Sequence, residues 1–113
     1  YDAAINTHRP AMRAIYGQVF EDHGLDAIVF PTPPLTARPI GQDETVELNS
    51  AQLPTFPTYI RNTDLGSNIG APGISLPCPV PSGLPIGIEF DALPGQDRAL
   101  LALAQAAEKA MAD

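Results

Sequence analysis

The sequence predicts an α/β fold from three features: an amphipathic helix that stops at a glycine, a short continuous apolar run just behind it, and an alternating strand followed by a closing helix. The first helix is read from Met12, Ile15, Tyr16, Val19 and Phe20, which keep the i, i+3, i+4, i+7, i+8 spacing of one apolar face. Asn6 or Thr7 is placed to cap its start, and Pro10 is tolerable because it falls in the first turn. Gly24 after His23, with Leu25 behind it, reads as a left-handed stop with its hydrophobic contact.

The run Ala27-Ile28-Val29-Phe30 is closed by Pro31 and shows no alternation. That suits a strand buried on both faces, as in a parallel sheet. Two more strands follow, Ile74-Ser75-Leu76-Pro77 and then Ile86, Ile88 and Phe90 alternating with Gly87 and Glu89 as on a half-buried strand. Pro79, Pro81, Ser82 and Gly83 supply turn chemistry between them. Asp97 is read as the cap of a final helix whose face holds Leu100, Ala104, Ala107 and Met111, with Leu103 beside them. Lys109 near its end suits the helix dipole.

Residues 32–72 are irregular, broken by Pro33, Pro34, Pro39, Pro54 and Pro57 and by Gly41, Gly66 and Gly70. A connection this long is uncommon in a domain unless it is functional or hides further elements. It also carries most of the polar side chains that could face a ligand.

A chain of 113 residues is one domain or part of one. Hydrophobic residues make up 44% and charged residues 17%, which is too apolar for disorder. The thirteen prolines and nine glycines sit between apolar runs without a repeat, as turns and rigid connectors. The net charge of −7, with Lys109 the only lysine and arginines scattered at 9, 13, 38, 61 and 98, argues against nucleic acid as a partner. Cys78 is alone, so a reducing, cytoplasmic home is expected. No apolar stretch approaches the ~20 residues that span a bilayer, and no membrane partner is expected. The chain opens without methionine in helix-like sequence, so a fragment is expected.

Several groups are weak sites. His8 and His23 sit at opposite ends of one helix, too far apart to share a metal, and neither a metal nor a cofactor is expected. Asp43, Glu44 and Glu47 lack the spacing and glycine of a calcium loop and read as a solvated surface. None of Ser50, Ser67, Ser75 and Ser82 lies in a Gly-x-Ser-x-Gly context. Cys78, among prolines after a strand, reads as a small buried hydrophobe.

Longer patterns carry more. Phe30-Pro31-Thr32-Pro33-Pro34, then Asn68-Ile69-Gly70-Ala71-Pro72-Gly73-Ile74-Ser75-Leu76-Pro77, then Gly83-Leu84-Pro85-Ile86-Gly87-Ile88-Glu89 occur in this order, followed by a leucine-rich helix over 97–108. The succession resembles the last third of amidase-signature enzymes and covers nearly the whole chain. Within that family, residues 43–49 and 54–64 look most like the arylacetamide group, which includes indoleacetamide and mandelamide hydrolases. Glu89 stands where many members have glutamine, and Cys78 where a small residue is usual.

The resemblance implies the C-terminal part of a mixed, twisted sheet flanked by helices. It implies a lysine, a bridging serine and a nucleophilic serine that hydrolyse an amide to acid and ammonia. No residue here matches any of the three, so no catalytic residue is assigned and the segment alone is expected to be inactive. Residues 1–113 are then a C-terminal segment that supplies sheet strands and part of an acyl pocket for a small amide substrate. Thr32, at the end of a buried strand, is placed to line a crevice, and Tyr59, Asn62, Thr63 and Asn68 are further wall candidates. Thr32 and Asn68 are expected to share a concavity with Ile69 and Phe56, while the plainer alternative has these polar residues bonding loop backbone or capping a short helix. Lacking the rest of its fold, the chain is expected to self-associate or to pack against the missing N-terminal part. A rival reading is a self-contained ligand-binding or dimerisation domain, and a third is a transamidation subunit of the same family.

Overall fold

A computed structural model describes residues 1–81 and 83–112, so Ser82, read above as part of a turn, lies outside the described residues. Helical backbone begins earlier than expected: residues 2–23 are helical throughout, with a π-helical turn at Ala4–His8 running into α1 (Arg9–His23). Asn6 and Thr7 therefore lie inside the helix, and neither caps it. The wide turn sits just ahead of Pro10, which has no N–H to donate and whose ring would crowd the carbonyl one turn back; widening the turn relieves both. The stop is as expected. Gly24 is left-handed at φ 60°, and the Leu25 N–H reaches the Phe20 carbonyl at 3.0 Å.

The apolar run after it forms β1 (Ile28–Pro31), which pairs with β5 (Ile86–Asp91), and β5 pairs in turn with β4 (Gly73–Cys78). The sheet order is β1-β5-β4, and both pairings are antiparallel. This corrects the expectation for β1. It is an outer strand with alternating burial, and Val29 is 53% exposed. A four-residue apolar run states only that both faces tolerate burial; the direction of its partner is decided elsewhere in the chain.

Register fixes the two faces of the sheet. Ile28, Phe30 and Thr32 lie on the same face as Asp91, Glu89 and Gly87 of β5 and as Gly73 and Ser75 of β4. Ile86, Ile88 and Phe90 point the other way, with Leu76 and Ile74, as the alternation in the sequence predicts. That apolar face receives α4 (Asp97–Ala112), where Leu100 and Ala104 are buried and Leu101 and Ala104 line a groove with Ile74 and Leu76. Asp97 is the first helical residue rather than the cap, because the Gln96 carbonyl already accepts the Leu100 N–H at 2.9 Å; its charge still complements the dipole.

The central segment contains two further units. A hairpin joins β2 (Thr45–Leu48) to β3 (Ala51–Pro54), and two short helices follow, α2 (Thr55–Ile60) and α3 (Asp64–Ile69). Its turn residues Asn49 and Ser50 are both left-handed, at φ 52° and 64°, the geometry that matches strand twist in a two-residue hairpin. Then α3 packs on α1, and Tyr16, Phe20 and Ile69 form a core with Ile28, Met12, Ala71 and Leu93 around it. Full burial of side chains such as Phe20 and Ile69 contributes roughly 1.5–3 kcal/mol each. Helices thus cover both faces of the sheet. On α1 only part of the apolar stripe is used, since Ile15 remains 68% exposed.

Candidate functional site

The expected wall residues fall into two groups. Thr32 follows β1 directly, and its N–H continues the ladder to the Gly87 carbonyl at 3.0 Å. Two side chains from α2 and the turn behind it fasten the segment that Thr32 opens. The Asn62 Nδ2 donates to the Pro31 carbonyl at 2.8 Å, and the Tyr59 hydroxyl donates to the Thr36 carbonyl at 2.7 Å. These bonds hold the end of β1 and residues 33–36, which otherwise make little regular backbone pairing, against α2. A concavity of about 230 Å³ opens beside them, lined by Pro31, Pro33, Leu35, Thr36, Ile86 and Gly87 among others. Thr32, Tyr59 and Asn62 therefore gather around one proline-rich wall at the carboxyl end of β1.

Thr63 and Asn68 bond locally instead. The Thr63 hydroxyl donates back to the Ile60 carbonyl at 3.3 Å without capping α3, and the Asn68 amide donates to the Asp64 carbonyl and carboxylate one turn earlier. Ile69 does not line a concavity. It is 0% exposed in the α1–α3 core, where it outcompetes a pocket position because burial against two aromatic rings removes its whole side chain from water. Phe56 is 72% exposed. The Arg13 Nε donates to the Ile69 carbonyl at 2.5 Å, placing a cation on the C-terminal end of α3.

Two features of this face lay outside the expectation. The Thr32 hydroxyl meets the hydroxyl of Ser75, a residue of β4, across the central strand. At the other end of the same face Asp91 is buried, 5% exposed, with its carboxyl against the backbone of Gly66 and Gly73; a Cβ at either glycine would come within 2.5 Å of a carboxyl oxygen. Burial, and after it the charge and hydrogen bond of Glu89, push the Asp91 carboxyl up to about 6. Tyr16, whose hydroxyl is buried without a protein partner, is pushed up to about 12 by burial and by the nearby Asp91 charge. The signal for Asp91 was the period of β5: Gly87, Glu89 and Asp91 recur at every second position opposite Ile86, Ile88 and Phe90.

Among the described residues no three His, Cys, Asp or Glu side chains gather where they could hold a metal, and no helix is long and apolar enough to cross a membrane. Cys78 ends β4 and is a partly exposed free thiol rather than fully buried.

Comparison with known proteins adds four likenesses. A family model described as Amidase matches residues 1–101. An indoleacetamide hydrolase of Rhizobium radiobacter is 48% identical over 112 residues, spanning 98% of this chain and 24% of that protein, and a mandelamide hydrolase of Pseudomonas putida is 40% identical over 108 residues, spanning 92% and 20%. A solved amidase crystal structure superposes with a TM-score of 0.82 at 32% identity, covering 91% of this chain and 23% of the other. The chain thus spans about a quarter of the length of the curated relatives it matches.

Proposed function

The chain belongs to the amidase family, and on that premise we propose that it is the C-terminal part of an enzyme hydrolysing a carboxamide, with arylacetamides as its substrate class, to acid and ammonia. The observation that carries the substrate class is the identity of 48% to an indoleacetamide hydrolase over 98% of the chain, together with 40% to a mandelamide hydrolase. Both names describe an aryl group one carbon from the amide. The three-layer arrangement supports a pocket wall at the carboxyl end of β1, where Thr32, Tyr59 and Asn62 brace the proline-rich segment. Thr63 and Asn68, each bonded within its own turn, fit the plainer role of holding local backbone.

The segment contributes scaffold and wall, and the nucleophile belongs to the rest of the protein. No Gly-Gly-Ser-Ser run occurs in the 113 residues, and Lys109 is exposed near the end of α4. The remainder would also cover Val29, Ile15 and Ile86, which stand 53%, 68% and 39% exposed here, or a second copy would do so. A cytoplasmic setting suits the free Cys78 thiol.

The test is ammonia release by the protein as its gene encodes it, from indoleacetamide, mandelamide, phenylacetamide and acetamide. We expect kcat/KM for the aryl substrates to exceed that for acetamide by at least about tenfold, since one apolar group in a fitted pocket contributes roughly that factor or more. No ammonia from any of them, or a preference for acetamide, would refute the reading.

A further inference from the structure

We propose that Thr32 and Ser75 form a single donor–acceptor hydroxyl pair that binds a polar group of the amide substrate, and that Gly87 is the residue that lets the pair form. This rests on the amidase reading above and extends its pocket from Thr32 to Ser75, which the sequence did not single out as a wall residue. The geometry is unusual for a sheet. Strands β1 and β4 are not neighbours; β5 lies between them, so their backbones are about 9.6 Å apart at the usual strand spacing. Side chains so separated meet only if the strand between them presents nothing at that level.

Gly87 presents nothing. A Cβ built there would stand 2.6 Å from the Ser75 Oγ and 2.8 Å from the Thr32 Oγ1, closer than real Cβ atoms come to their neighbours. An ordinary residue at 87 would drive the two hydroxyls apart. Thr32 is further fixed from below by its own N–H on the Gly87 carbonyl and from the side by Asn62 on the Pro31 carbonyl. In the register Ser75 faces Glu89, two residues along β5 from Gly87, so its side chain reaches Thr32 diagonally across the bare Gly87 position.

A hydroxyl carries one donor and two acceptor positions. In the Thr32–Ser75 contact one O–H is spent on the partner, which leaves one O–H and several lone pairs facing outward. That combination matches a group that both donates and accepts, such as an alcohol or a primary amide, and it also accepts from a ring N–H. A lone hydroxyl rotates freely to suit water; a paired one is oriented before the ligand arrives, which lowers the ordering cost of binding. The pair sits partly open at the strand end that also borders the 230 Å³ concavity, where Gly87 is shared between the two.

The test uses the protein as its gene encodes it, with steady-state kinetics on indoleacetamide and mandelamide beside thermal melts. Ser75→Ala should raise KM about five- to tenfold with kcat within about twofold, the loss expected of one hydrogen bond made equally in ground and transition states. Thr32→Val should do the same, and Thr32→Ser should restore the wild-type KM because it returns the hydroxyl. The double variant Thr32→Val/Ser75→Ala should be no worse than the poorer single, as two halves of one unit are not additive. Melting temperatures of all four should stay within about 2 °C of wild type. If amide hydrolysis is intact but KM is unmoved in Ser75→Ala, or the two losses multiply in the double variant, the pair is not a binding unit. A wild-type protein that hydrolyses no amide is a different failure: it removes the functional reading, and this extension with it.

Discussion

Asp91 sits 5% exposed beside Glu89, with its oxygens against two glycines and the Tyr16 ring within reach of its charge. Its carboxyl is pushed up to about 6 from an ordinary 3.8, first by burial and then by Glu89. The folded protein therefore holds this proton more tightly than the unfolded chain does. Stability from the neutral form is complete below about pH 4 and is lost as pH rises through about 6, because the folded state must then keep a buried charge beside Glu89. The gap from 3.8 to about 6 corresponds to at most about 3 kcal/mol. Asp91→Asn keeps the shape and a donor toward Glu89 but removes the titration. Melts from pH 4.5 to 7.5 should show wild type losing stability relative to the variant over that window; parallel profiles would mean that Asp91 is solvated and titrates normally. The alternation of β5 gives the face on which Asp91 lies, but nothing local in the sequence marks it as buried, since an aspartate ending a strand usually faces water. Its burial follows from Gly66 and Gly73, two residues without side chains on separate elements that the fold brings against it.

Secondary elements were legible to different degrees, and the reasons are physical. The stop at Gly24, the alternation of β5 and the inner face of α4 are set by residues a few positions apart, so local spacing predicts them. Pairing direction is not local. The Ala27–Phe30 run looked like a strand for a parallel sheet and became the antiparallel outer strand β1, because β5 supplies its partner from almost sixty residues away. The β2–β3 hairpin escaped notice because its turn is Asn49-Ser50, without the glycine that normally announces two left-handed residues. Ser50 at φ 64° bears that cost without help from its side chain type. Ser50→Gly should therefore raise stability by about 0.5–1 kcal/mol, the left-handed penalty less the extra chain entropy of glycine. Denaturant titration decides it, and an unchanged or lowered midpoint would show that the turn relaxes to another geometry.

At the scale of the molecule, the sequence carried the family and the architecture further than it carried the site. Thr32 was legible as the end of a strand, and Tyr59 and Asn62 as wall candidates whose plainer alternative was bonding to loop backbone, as they do at the Thr36 and Pro31 carbonyls. Ser75 was not legible as the partner of Thr32, because two strands separated by a third give no sequence sign of contact. Ile69 looked like a pocket neighbour of Asn68 and lies instead under Tyr16 and Phe20. Among the described residues the chain has a sheet, two covering layers and a braced proline-rich segment, and the sequence contains no Gly-Gly-Ser-Ser run. Its exposed Val29 and Ile15 fit a surface that continues into more protein. The decisive measurement is ammonia release from indoleacetamide by the purified 113-residue chain on its own, at protein concentrations up to about a thousandfold above those used for the intact protein. Loss of a catalytic serine unit costs on the order of 10⁶-fold in turnover, so the chain should release none above background. Sustained ammonia release that tracks the chain through purification would contradict the proposal that it is a non-catalytic part of an amidase.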